Sequence, residues 1–235
     1  MKPANQDTKG LIQYRIENTD KAVLFAQSQE PFSLDNITLR MNPEALGWSQ
    51  DGTVGISGAI GNWTLDWLKS KLIAPIKESC KFDIKDEYVQ ELKKEDPTLG
   101  DRANSMMKAA VDLASKFCSS DIKTLSLNSV GGNLESAEII GWAMKIAGIE
   151  VKVPKRGICA SSCIEIFQRA KTRLAADDAF FMFHLAAVGE NKIKELVYSH
   201  KILPSDFQKK VLEGKDLYLS SQVALDIGLV TQVSI

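Results

Sequence analysis

Two short runs decide how this chain is read: Asn128-Ser129-Val130-Gly131-Gly132 and Gly157-Ile158-Cys159-Ala160-Ser161-Ser162-Cys163. Each follows a short strand-like segment and opens an apolar, helix-like one. A glycine pair at such a turn leaves backbone N–H groups uncovered, which suits them to hold a developing oxyanion. A serine at the start of a helix presents its hydroxyl near the positive end of the helix dipole. Further on, Ala179-Phe180-Phe181-Met182-Phe183 reads as a strand that ends in His184, one of two histidines in the chain. A hydroxyl, a base and an amide pocket are the parts that acyl transfer needs. On the residues alone, Ser162 competes with Ser161, since both stand at the helix start and either can cap it. Asp206, Asp216 and Asp226 compete likewise for the carboxylate that would orient His184.

Outward from these runs, the chain alternates strand and helix. Val54–Ile60 reads as the first core strand, and Trp63 to about Ile73 as a helix that Pro75 ends. The mixed-charge stretch 78–102 reads as a solvated insertion with one short helix. Helical spacing returns through Met106, Ala110, Leu113 and Phe117. Asp121–Leu127 alternates as a strand, and Gly131-Gly132 then opens a helix carrying Leu134, Ala137, Ile140, Met144 and Ala147, with Gly148 at its C′ position. Ile149–Val153 is the next strand and Ser161–Ala170 the next helix. Asn191–Ile202 reads as a helix carrying His200 on a polar surface, a second helix follows Pro204, and Ser220–Gly228 precedes a last strand Leu229–Val233. Before all this, Ile12–Ile16, Ala22–Ala26 and Ile37–Met41 suggest strands. The expected organisation is a β-rich N-terminal appendage, residues 1–50, on an α/β domain, residues 51–235, whose sheet is parallel with crossover helices.

The 235 residues suffice for one substantial core, and 44% hydrophobic with 25% charged residues is ordinary globular composition. A formal net charge of -1 offers no electrostatic footprint for nucleic acid or an anionic membrane. No apolar run approaches the ~20 residues of a membrane span. Met1–Gly10 is polar and lacks the apolar core of a signal peptide, so the chain as given reads as cytoplasmic, or periplasmic if a signal was removed. Cys159 and Cys163 have no second Cys/His pair at metal-ligand spacing, which leaves buried thiols or a local disulfide bracing the turn. Cys80 and Cys118 flank the insertion and are either free or paired. No metal, cofactor or nucleotide motif is present.

Asn-Ser-x-Gly-Gly, then Gly-x-x-Ala-Ser, then a strand ending in His resembles the Clp protease proteolytic subunit. The resemblance extends to Val54-Gly-Ile-Ser-Gly-Ala-Ile60, to Asp216-Leu-Tyr-Leu-Ser220, and to Ala224 with Gly228-Leu-Val230, so it covers roughly residues 50–235. The Cys-Ala-Ser-Ser-Cys form is similar to a bacterial side branch of Clp-like proteins usually described as periplasmic. The resemblance implies the ββα superhelix of the ClpP/crotonase superfamily and a serine peptidase acting on peptides or unfolded protein. It selects Ser161 as nucleophile, His184 as base and Asp216 as its orienting acid, with Gly131, Gly132 and Ser162 around the oxyanion. It also implies self-association and leaves open an ATP-driven unfoldase partner. Two other functions share the fold: a crotonase-type acyl-CoA enzyme and a catalytically silent, partner-binding scaffold. The chain departs from the family in having Leu185-Ala186 after the histidine, Thr231 after Gly-Leu-Val, and a short interval from His184 to Asp216. That interval is too short for the family's ring-joining handle, so a smaller assembly through Ile193, Leu196 and Val197 is expected.

Overall fold

The structure is a computed structural model that describes residues 52–185, 187–188, 191–192 and 201–234, with the strands at 11–15, 22–26 and 47–48. In chain order the strands are β1 (Leu11–Arg15), β2 (Ala22–Ala26), β3 (Gly47–Trp48), β4 (Thr53–Ile60), β5 (Thr124–Gly132), β6 (Glu150–Val153), β7 (Ile158–Ala160), β8 (Arg173–Ala176), β9 (Phe180–Phe183), β10 (Ala187–Val188), β11 (Asn191–Lys192), β12 (Leu217–Ser220) and β13 (Gln232–Ser234). The helices are α1 (Asn62–Lys71), α2 (Asp86–Glu95), α3 (Arg102–Ser119), α4 (Leu134–Ala147), α5 (Cys163–Arg169), α6 (Ser205–Leu212) and α7 (Ser221–Asp226).

The longest strand, β5, sets the architecture, which is α/β with a mainly parallel centre. One edge of β5 pairs with β4 along its length. The other edge changes partner: Thr124–Ser126 pair with β6, whereas Ser129 pairs with Cys159 of β7. The sheet therefore forks at β5, with β6, β8 and β13 on one branch and β7, β9, β12 and β2 on the other. At the fork, Asn128 Oδ1 accepts the Ile158 amide at 3.1 Å, so a side chain supplies the acceptor where the strands diverge. Opposite it, β4 carries an irregularity between Ser57 and Ala59, where Gly58 has φ +89°. Ser129 Oγ donates to the Gly58 carbonyl at 2.5 Å and accepts the Gly131 amide at 3.0 Å. One buried hydroxyl thus satisfies two backbone groups that the irregular ladder would leave open.

Helix α4 is capped by Asn133, whose Oδ1 accepts the Ser136 amide at 2.7 Å, and it ends at Gly148 with φ +66°. It packs between α3 and α5. Trp142, Phe117, Phe167, Phe181 and Phe183 are fully buried where helices meet sheet. Several expectations need correction. Gly131-Gly132 closes β5 instead of opening a helix, because β4 continues alongside as far as Ile60. The helix expected from Ser161 starts at Cys163, since Ser161 has φ +55° and cannot lie within an α-helix. The short strands β7 and β8 carry no periodic signal in the sequence; each owes its pairing to distant segments. Asn191 and Lys192 pair with Val188 and Ala187 in place of starting a helix. His200, Ile193, Leu196, Val197 and the segment Ile37–Met41 lie outside the described residues. The last strand begins at Gln232, three residues later than expected.

The charged insertion is also more ordered than a solvated loop. Helix α2 buries Val89 and Leu92, and a disulfide joins Cys80 to Cys118 at the end of α3. The α2 carboxylate of Glu95 forms a bidentate pair with Arg169 of α5, and both side chains are almost wholly buried. The guanidinium lies 4.5 Å from the Trp142 ring centroid. Glu138, also buried, is pushed up to about 7, first by burial and then by the Glu165 carboxylate. Arg169 offsets part of that push, while Asp96 and Glu95 add to it.

Two outcomes follow from this buried ionic cluster. Glu95→Ala removes the bidentate partner of the buried Arg169, leaving only the Glu165 and Glu138 charges near it, and should cost up to roughly 3–5 kcal/mol in urea unfolding, whereas Glu95→Ala with Arg169→Met should cost distinctly less. A carboxyl whose folded pKa is raised holds more protons folded than unfolded, so its contribution weakens as pH rises from about 4.5 to about 7. Glu138→Gln should therefore flatten the decline in unfolding free energy across that window, and an unchanged slope would exclude Glu138 as its source.

Candidate active site

The second quoted run folds into a sharp turn between β7 and α5. Ser161 sits at its apex in the left-handed region, at φ +55°, which costs an L-residue about 1–2 kcal/mol. Three covalent or hydrogen-bonded ties offset that cost. The Ser161 amide donates to the Met182 carbonyl of β9 at 2.9 Å, and the Ser161 carbonyl accepts the Ile164 amide at 2.9 Å. A disulfide joins Cys159, in β7, to Cys163, the first residue of α5. The turn thus holds the Ser161 hydroxyl clear of both the strand and the helix, as a nucleophile elbow does.

His184 follows directly from β9, which lies beside β7 in parallel register. Its Nε2 is 2.7 Å from Ser161 Oγ, within hydrogen-bond reach, and both residues are half-buried. Strand β12 pairs antiparallel with β9, Leu217 opposite Phe183 and Tyr218 opposite Met182. Continuing that register by one residue aligns Asp216 with His184, and residues opposite one another on antiparallel strands share a face. Asp216 is half-buried, and after burial itself its charge is the next cause that pushes Tyr218 up to about 12. The two rival acids stand elsewhere: Asp206 is in the first turn of α6, and Asp226 ends α7 and accepts a bond from Gln222 at 3.0 Å.

Gly131 lies against the elbow and Gly132 against the end of β4. A Cβ on Gly131, at φ +86°, would stand 2.6 Å from the Ala160 carbonyl and 2.8 Å from the Ser162 nitrogen. A Cβ on Gly132, at φ +145°, would stand 2.1 Å from the Ile60 carbonyl. Only glycine lets β5 approach both neighbours this closely. The two amides differ in commitment, because the Gly131 N–H already donates to Ser129 Oγ. Ser162 is buried, and its Oγ has no hydrogen-bond partner among the described residues. Ser129 and Asn128 were missed as site residues. Their signal was Ser129, a polar residue where the alternation through Leu125 and Leu127 calls for an apolar one, with Asn128 beside it.

No family model matches this chain, and no curated protein matches it. Among solved structures it is similar to a point mutant of ClpP1 from Listeria monocytogenes, at 19% identity and a TM-score of 0.46, over 78% of this chain and 91% of that one. A likeness of that size decides no activity. Among the described residues there is no cluster fit to hold a metal ion and no helix long and apolar enough to cross a membrane.

The glycine contacts make a graded expectation. Gly148 has φ +66° with open space around its Cβ position, so Gly148→Ala should carry only the conformational cost, about 1 kcal/mol. Gly131→Ala adds steric collision with the elbow and should lower the unfolding free energy by clearly more in the same urea titration.

Proposed function

We propose that the chain is a serine peptidase in which Ser161 is the nucleophile, His184 the base and Asp216 the acid that orients it. The contact of His184 Nε2 with Ser161 Oγ at 2.7 Å, on a left-handed turn, carries this reading. Ser161 Oγ attacks the peptide carbonyl as Nε2 takes its proton, and the imidazolium then returns that proton to the leaving amine. Asp216, aligned with His184 by the β9–β12 register, holds the tautomer that keeps Nε2 free to accept and stabilises the imidazolium. The tetrahedral oxyanion is held by the amides of Gly132 and Ser162. Gly131 serves by fitting under the elbow, since its own amide is engaged by Ser129. Each oxyanion donor is worth on the order of 3 kcal/mol in comparable sites. The substrate class is peptide or unfolded protein. The acyl-CoA and silent-scaffold readings give the Ser161–His184 contact no role.

A fluorophosphonate probe with mass-spectrometric mapping tests the reading. Ser161→Ala should abolish labelling and peptide hydrolysis. Ser162→Ala should retain activity and leave stability unchanged or higher, because it removes a buried hydroxyl without a partner and keeps the backbone amide. If Ser162→Ala is dead and Ser161→Ala active, the assignment is off by one. Asp216→Asn should lower the rate on the order of 10⁴-fold without unfolding the protein, and a rate close to the parent's would remove Asp216 from the site. The rate should fall as pH drops through the titration of His184, since only neutral imidazole accepts the serine proton.

A further inference from the structure

We propose that Cys159 and Cys163 are positioning residues for Ser161, so that catalytic competence is acquired by oxidation of this cysteine pair. The inference rests on the reading of Ser161 as nucleophile. The disulfide spans four residues and encloses Ala160, Ser161 and Ser162, the elbow itself. Its two ends belong to different elements. Cys159 is a β7 residue held by pairing with Ser129 on one side and Phe181 on the other, and Cys163 is the first residue of α5. The bond therefore fixes the distance between the strand that enters the turn and the helix that leaves it, across a residue in the left-handed region.

A bridge over so short a loop removes little entropy from the unfolded chain, and its effect on global stability is correspondingly small. The contrast is the Cys80–Cys118 bridge, which closes a separation of 38 residues away from the elbow. One disulfide is thus suited to stabilise the fold and the other to set a local geometry. Both Cys159 and Cys163 are fully buried, packed in the core against which the turn rests. When the bond is absent, whether by reduction or by replacement of both cysteines, no covalent tether holds the Cα atoms of residues 159 and 163 at 5.3 Å, so β7 and α5 can part, and in the reduced chain two thiols that need van der Waals separation push them further. Ser161 is then freed to relax toward negative φ, and its Oγ moves relative to His184 Nε2. A misplacement of about 1 Å costs on the order of 10²-fold in rate. Burial also places the chemistry in time: with no exposed sulfur to attack, the bond forms before the core closes. Thiol–disulfide exchange with a small-molecule disulfide oxidant such as oxidised glutathione supplies it. The two protein thiols lose two protons and two electrons as the new S–S bond forms, and the oxidant's S–S bond breaks to give two thiols.

The test compares the full chain folded with oxidised glutathione, a Cys159→Ala/Cys163→Ala variant and a Cys80→Ala/Cys118→Ala variant. Fluorophosphonate labelling of Ser161 is read at saturating probe, well below each melting temperature and with matched circular dichroism. The Cys159/Cys163 variant should label between 10-fold and 100-fold more slowly, with little change in half-saturating probe and a small change in Tm. Its Ser161 ¹³C shifts should leave the left-handed range. The Cys80/Cys118 variant should show the reverse, a parent-like labelling rate with the larger loss of Tm. Should the first variant not fold, the parent chain folded and kept in reductant takes its place, with rescue of labelling on refolding in oxidant as the expected result. Parent-like labelling of Ser161 without the Cys159–Cys163 bond overturns the inference and leaves the peptidase reading intact. Absence of labelling at Ser161 in every form, the oxidised parent included, overturns both.

Discussion

Strand β5 must serve two branches of one sheet, and the rest of the molecule is arranged around that constraint. A strand that changes partners on one edge leaves backbone groups without their regular ladder bonds. Here Asn128 and Ser129 take up that deficit with side-chain oxygens, and Ser129 does so on both sides, toward Gly58 and toward Gly131. Both are short enough to bond back to nearby backbone without displacing the apolar residues around them. The fork holds β7 and the elbow against the end of β5.

The site is consequently built from strand ends. Gly131 and Gly132 end β5, Ser161 follows β7, His184 follows β9 and Asp216 precedes β12. Two parallel neighbours, β7 and β9, end side by side, which places the Ser161 hydroxyl and the His184 imidazole within hydrogen-bond reach. The antiparallel strand β12 arrives from the other direction, so its first residues stand next to the last residues of β9. Residues distant in the chain thus meet because strand ends meet.

Behind the elbow, the charged insertion reaches the helix that follows the Ser161 turn. The Glu95–Arg169 pair joins α2 to α5, and Trp142 lies under the guanidinium. A buried ion pair of this kind contributes little net stability against a well-packed apolar alternative, but breaking it is costly. Its placement ties the insertion to a particular docking on α5, where a wholly apolar contact would tolerate sliding.

Much of the core was legible in the sequence because it depends on local periodicity. The helix Leu134–Ala147, its end at Gly148, the strand leading to His184 and the strand Ala22–Ala26 follow from apolar spacing and one glycine. The residue types at the site were legible too, as short runs of glycine, serine and cysteine. What the sequence could not reveal depends on neighbours far along the chain. The alternating pattern of β5 does not say where its partner β4 ends, so on sequence alone the glycine pair reads as a helix start. The short strands β7 and β8 have too few residues for a periodic signal and exist because others lie beside them. Mixed charge in residues 78–102 gave no sign that Glu95 would be buried, since an ionised side chain declares its burial only when its partner, Arg169, is in place. Among Asp206, Asp216 and Asp226, only the family resemblance singles out Asp216 in the sequence, whereas in the fold Asp216 is the one that directly precedes the strand paired with the strand before His184. Periodicity is a property of neighbouring residues; the meeting of strand ends is a property of the whole sheet.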